Sequence, residues 1–166
     1  NRTSQRVLVQ DLGQTTLGKP FLLAIISSPD TLSNLLSYQD IQKTLADPRK
    51  TERFPKELLE RGKTVILITC GIHSTEVASP QMSMEFAYEL AFAEDRETRE
   101  ILENVIFLFV PSLNPDGVDI VTRWYRKTVG TVAEGTSPPE LYHAYTGHDN
   151  NRDWFMFTQK ETRLVI

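Results

Sequence analysis

Two short segments hold the residue types from which a reactive site can be built. His73-Ser74-Thr75-Glu76 sets an imidazole and a carboxylate three residues apart. From a tight turn or a helix start, both can bite one divalent cation, and zinc accepts this mixture of nitrogen and oxygen. The same spacing also suits a plainer arrangement, with His73 capping a turn and Glu76 at the start of a helix, favoured by its dipole. The second segment is Gly147-His148-Asp149-Asn150-Asn151-Arg152-Asp153-Trp154. Its Asn151-Arg152 pair offers amide donors and a planar fork that grips a carboxylate bidentately. Otherwise the segment is a turn pinned by Asx side chains. His143 and His148 stand in or beside a long irregular stretch, where a histidine is more often hydrogen-bonded or exposed than a ligand.

Two further segments lie between these. Asn114-Pro115-Asp116-Gly117 has the residues of a type I turn. Arg123-Trp124-Tyr125-Arg126-Lys127 follows it. A guanidinium from this run, brought to a polarised carbonyl, would stabilise a developing oxyanion. Left alone, the run is a solvated basic face.

The elements that must position these groups are legible as patterns. Thr64–Thr69 and Val105–Val110 are continuous apolar runs, the mark of strands buried on both faces. His73 follows the first and Asn114 the second, and active groups of open α/β sheets sit at carboxyl ends of strands. Between the strands, Ser79-Pro80 supplies an N-cap and an N1 proline for a helix with Met82, Phe86 and Leu90 inward. Arg96–Glu103 reads as a solvated helix. Strand, helix, strand is a βαβ unit, hence a parallel pair within a mixed α/β sheet. Upstream, Arg6–Gln10 and Phe21–Ile26 read as a hairpin with a longish loop. Asp30 or Thr31 caps a helix carrying Leu32, Leu35, Leu36 and Leu45, and Pro55 opens a short helix ending at Gly62. Thr128 to Gly147 is irregular.

The chain has 166 residues, 40% hydrophobic and 24% charged, which suits one globular domain or slightly more. A net charge of −4 argues against a nucleic-acid partner. No apolar run approaches the roughly 20 residues of a membrane-spanning helix. The single cysteine, Cys70, leaves the redox compartment open. The N-terminus carries neither an initiator Met nor the apolar run of a signal peptide. Thr158-Gln159-Lys160-Glu161 is a capping-box pattern that starts a helix, yet Ile166 follows within two turns. The chain is therefore expected to be the front part of a longer protein.

Taken in order, the strand, H-x-x-E at His73–Glu76, helix, strand, N-P-D-G at Asn114–Gly117, R-x-x-R-K at Arg123–Lys127 and N-R at Asn151–Arg152 resemble the zinc carboxypeptidase family (M14, or funnelin, peptidases). The resemblance spans about Thr64 to Trp154. It implies a carboxypeptidase-like α/β fold, a mixed and mostly parallel sheet with helices on both faces, of which residues 1–166 form the N-terminal part of a single catalytic domain. It implies Zn2+ as cofactor, with His73 and Glu76 as two of three ligands. Arg126 would polarise the scissile carbonyl and hold the oxyanion. Asn151 and Arg152 would bind the terminal carboxylate of a peptide or peptide-like substrate. The third ligand, a histidine, and the general-base glutamate lie further along the family's sequence. Thr75 stands where the digestive enzymes carry an arginine, and the stretch from Arg126 to Asn151 is longer than theirs, so the substrate subsites are expected to differ. A secreted or periplasmic location would follow from the family alone. Two other readings fit the same residues: an aspartoacylase-like amidohydrolase of N-acyl amino acids, and a non-catalytic peptide-binding module on the same fold. N-P-D-G followed by R-x-x-R-K favours the peptidase over the amidohydrolase.

Overall fold

The computed structural model describes residues 3–47, 49, 56–140, 143 and 149–166. Its strands are β1 (Val7–Gln14), β2 (Pro20–Ile26), β3 (Thr64–Thr69) and β4 (Val105–Val110), in the sheet order β1-β2-β4-β3. β2 runs antiparallel to β4, with Ala24 opposite Phe109, Ile25 opposite Leu108 and Ile26 opposite Phe107. At the other flank of β4, the Cys70 N–H donates to the Val110 carbonyl at 3.0 Å and the Leu113 N–H to the Cys70 carbonyl at 2.7 Å. The carboxyl ends of β3 and β4 therefore lie together, as in a parallel pair. The sheet is mixed and the fold α/β.

The two apolar runs fare differently. β4 is buried along most of its length. β3 is not: Val65, Ile66 and Leu67 are 40%, 37% and 52% exposed. The expectation of burial on both faces fails there because β3 ends the sheet order, with a described strand partner on the β4 side only.

The helices are α1 (Pro29–Ser33), α2 (Leu35–Ala46), α3 (Lys56–Arg61), α4 (Ala78–Phe92), α5 (Arg96–Asn104), α6 (Pro115–Thr128) and α7 (Lys160–Val165), with a 3-10 turn at Asn150–Arg152. The single helix expected after residue 30 is two, broken at Asn34 (φ −111°, ψ 20°). Its cap is neither Asp30 nor Thr31 but Ser28, whose hydroxyl accepts the Thr31 N–H at 3.2 Å. Pro55 and His148 lie outside the described residues.

By its contacts the chain divides into two compact units. One comprises Asn1–Val9, Ala24–Ile68 and Phe86–Phe109. Ile25, Ile26, Leu90, Leu102, Phe107 and Phe109 are buried in it. The Phe86 ring packs on Phe109 at 5.6 Å and edge-on against Phe107 at 6.0 Å. The other comprises Gln10–Leu23, Thr69–Glu85 and Val110–Ile166. Its core is Phe21, Val110 and Leu113, with Leu12, Ile72, Trp154 and Leu164 packed around them. Met82, expected inward, is 46% exposed. Its neighbour Ser83 is buried instead, a rotation of about 100° around the helix, and the Ser83 hydroxyl donates to the Pro80 carbonyl at 2.6 Å.

Candidate active site

Every residue of the site belongs to the second unit, and the site begins where β3 ends. Gly71 has φ +68°, a left-handed conformation that side chains rarely adopt, and a Cβ there would come within 2.9 Å of Pro80 Cγ. Its N–H donates to the Ser79 hydroxyl at 3.0 Å. Ser79 thus ties down the loop rather than capping α4, which starts one residue earlier, at Ala78. The turn that follows is closed by the Glu76 N–H on the His73 carbonyl at 3.0 Å.

That turn places His73 Nδ1 3.2 Å from Glu76 Oε1. On the other side of the ring, Nε2 stands 2.7 Å from Asp149 Oδ1. Burial disfavours the charged imidazolium, but the hydrogen bonds and negative charges of Asp149 and Glu76 outweigh it and raise the His73 pKa above its ordinary value. Asp149 moves the opposite way. Burial acts to raise its pKa, and the Asn151 N–H, His73 and Arg152 together bring it below the usual carboxylate value.

Asp149 is also the cap of the 3-10 turn, accepting the Asn151 N–H at 2.8 Å. Arg152 Nη1 lies 3.9 Å from Asp149 Oδ2 and is largely exposed. One carboxylate therefore joins the imidazole of the first motif to the Asn-Arg pair of the second. The sequence reading missed this role. An Asp two residues before Asn151 signals an Asx cap, but nothing in local spacing reveals a partner 76 residues away.

Asn114-Pro115-Asp116-Gly117 opens α6 rather than forming an isolated turn. Asn114 is the N-cap, accepting the Gly117 N–H at 2.9 Å, and Pro115 starts the helix with the φ it requires. Ser74, inside H-x-x-E, donates to the Asn114 carbonyl at 3.4 Å. A Cβ on Gly117 would collide with Ser74 Oγ and with the Asn114 side chain. Glycine is thus what allows the two motif loops to approach. Asp116 is fully buried and faces away from chemistry, accepting from the Thr15 hydroxyl at 2.7 Å and the Leu17 N–H at 2.8 Å.

The basic run occupies the last turns of α6, where positive charge complements the helix dipole. Lys127 sits 5.8 Å above the Trp124 ring. Arg126 is exposed on the helix surface. The structure thus brings together His73, Glu76, Asn151 and Arg152 through Asp149, and leaves Arg126 on an open helix face. His143 is buried elsewhere in the unit, 3.2 Å from the Thr16 hydroxyl.

The sequence profile of peptidase M14, described as zinc carboxypeptidase, matches residues 1–163. The chain belongs to the zinc carboxypeptidase family. Among solved structures, it is similar to a metallo-carboxypeptidase from Burkholderia cenocepacia (19% identity, 99% of this chain, 33% of that chain, TM-score 0.59). It is also similar to the carboxypeptidase A of Helicoverpa armigera (13% identity, 97% of this chain, 36% of that chain, TM-score 0.53). At such identities the likeness is one of fold. The chain spans about a third of the length of each.

The family's metal is zinc, and the local chemistry fits it. Two ligands at about 2.0–2.2 Å on adjacent corners of a tetrahedron lie roughly 3.4 Å apart, close to the 3.2 Å between His73 Nδ1 and Glu76 Oε1. An imidazole that donates its Nε2–H to Asp149 turns its Nδ1 lone pair toward that same edge, the carboxylate–histidine arrangement general to zinc sites. Among the described residues, no group of three or more His, Cys, Asp or Glu side chains could hold a metal ion.

Proposed function

We propose that the protein containing this zinc carboxypeptidase family chain hydrolyses peptide or peptide-like amide bonds next to a free carboxylate. The observation that supports it most is the His73–Glu76 edge, backed by Asp149 and continuous with Asn151-Arg152. His73 and Glu76 would hold zinc, which supplies Lewis-acid activation of a water and of the substrate carbonyl. Asp149 fixes the orientation of His73 and raises its basicity as a ligand. Arg152, largely exposed beside Asp149, receives the substrate carboxylate, with Asn151 donating from its amide. Arg126 serves the reacting carbonyl as its oxygen becomes negative. The reading requires a third ligand and a general base besides the described residues, contributed by the complete protein.

The test uses the complete protein and its His73→Ala and Glu76→Ala variants. Both variants should lose zinc and activity together. Full zinc stoichiometry in either variant would remove the ligand assignment. Peptides with a free C-terminus should be cleaved and their C-terminal amides spared; equal rates on both would remove the role of Arg152.

A further inference from the structure

Residues next to the candidate site in the chain help to line a small space bounded by Ile72, Leu113, Asn150, Trp154, Glu161 and Thr162. Three of these adjoin site residues in the chain: Ile72 precedes His73, Asn150 precedes Asn151-Arg152, and Trp154 follows them by two. Two buried acceptor oxygens belong to this lining. Glu161 is 2% exposed and Asn150 4% exposed. Glu161 Oε1 accepts the Thr16 N–H at 2.6 Å. Its Oε2 and Asn150 Oδ1 have no hydrogen-bond partner among the described residues. The His143 ring nitrogen Nε2 stands 3.8 Å from Oε2, beyond hydrogen-bond reach.

A carboxylate oxygen and an amide oxygen cannot satisfy each other, because neither donates. Leaving both unsatisfied would carry a desolvation cost that native structures avoid. Both oxygens belong to residues that line one space, and a water, with two O–H donors and the size such a space admits, can serve a carboxylate oxygen and an amide oxygen together. The space leaves about 10 Å³ for the centre of such a molecule, about the minimum for one water. A hard cation would want six or more oxygens, whereas half of this lining is apolar.

We propose that Glu161 and Asn150 bind a structural water, which donates one hydrogen bond to Glu161 Oε2 and the other to Asn150 Oδ1. The water fastens the 3-10 turn carrying Asn151 and Arg152 to α7. Glu161 thereby holds two segments at once, the β1–β2 turn through Oε1 and the 3-10 turn through the water.

A high-resolution crystal structure of the complete protein tests the site. The expected result is one isolated density peak at about 2.7–3.0 Å from both oxygens. No peak, a protein donor in its place, or a peak with contacts of about 2.4 Å to several oxygens, as for a cation, would overturn the proposal. Amide hydrogen exchange tests the fastening without any activity assay. The Arg152 and Asp153 N–H groups donate to the Asp149 and Asn150 carbonyls. In Glu161→Met, which loses the Thr16 bond on the β1–β2 turn as well as the water bond, these two N–H groups should exchange roughly fivefold to tenfold faster, the effect on the 3-10 turn of losing its one link to Glu161. Glu161→Gln keeps an acceptor for Thr16 and a group the water can bond, so exchange should match the native rate. Native rates in Glu161→Met, or accelerated ones in Glu161→Gln, would contradict the bridge.

Discussion

The two ring nitrogens of His73 face two different carboxylates, and those carboxylates have different work. Glu76 approaches Nδ1 from a mostly exposed position, as a second ligand must. Asp149 approaches Nε2 at 2.7 Å while also capping the 3-10 turn, so it is held independently of any ligand. Asp149→Ala in the complete protein should therefore weaken zinc binding by about 10–100-fold, the usual effect of removing a histidine's outer partner. Competition with a chelator would measure it, and unchanged affinity would mean that Asp149 serves only as a cap. The two arginines should separate kinetically. Arg152→Ala should mainly raise KM for free-carboxylate substrates. Arg126→Ala should mainly lower kcat, by a factor corresponding to about 2.7–4 kcal/mol, because its partner charge develops only in the transition state. A pure KM effect from Arg126→Ala would leave it a surface residue of α6.

At the scale of elements, strand positions were legible and caps were not. Thr64–Thr69 and Val105–Val110 are found with the bounds that the apolar runs suggest, because length and β-rich composition suffice to mark a strand. Caps depend on which donor a side chain finds in three dimensions. Thr158-x-x-Glu161 has capping-box spacing, yet Thr158 does not cap α7: its hydroxyl and N–H go to Asp153 Oδ1, and Glu161 turns to Thr16. Asn114-Pro115 was legible as a chain reversal but not as a helix start, since both use the same residues. The clustering of His73 with Asp149 was illegible because it is a long-range contact with no local pattern. Asp153 supplies a pH test at this scale. It is fully buried, and although burial alone would raise its pKa, bonds from Thr158, Gln159 and Thr162 hold it at about 2, against an ordinary 3.8. A carboxylate depressed in the folded state stabilises above its unfolded pKa and loses that contribution as pH falls toward the folded one. The gain at neutral pH is about 2 kcal/mol. Asp153→Asn should be less stable than native by about that amount at pH 7, with the gap narrowing between pH 4 and 2. Denaturant titrations at several pH values would show it, and a pH-independent gap would mean that packing rather than charge is responsible.

For the molecule as a whole, the decisive feature is the flank of the sheet at β3. Val65, Ile66 and Leu67 expose apolar surface on a strand with a described partner on one side only. Such an edge offers unpaired N–H and C=O groups in a row, flanked by side chains that gain by leaving water, which makes it a template for further strand pairing. Natural edges are protected by charge, proline or a bulge, and Thr64–Thr69 contains no charged residue and no proline. Residues 1–166 expressed alone should therefore self-associate, with apparent mass rising with concentration in light scattering. Leu67→Lys puts a charge on the most exposed of the three positions and should shift the chain toward monomer while leaving its far-ultraviolet circular dichroism unchanged. The complete protein should show neither the association nor the response to Leu67→Lys in solubility, if its remaining chain covers this strand. Residues 1–166 should also lack peptidase activity in added zinc, if the third ligand and the general base that the proposed reading requires come from elsewhere in the complete protein. A monomeric wild-type chain over a wide concentration range would show that the β3 edge is protected by means other than pairing. Zinc-dependent hydrolysis by that same chain would place the remaining ligand and base within it, and His148 and Asp149 would be the first residues to substitute.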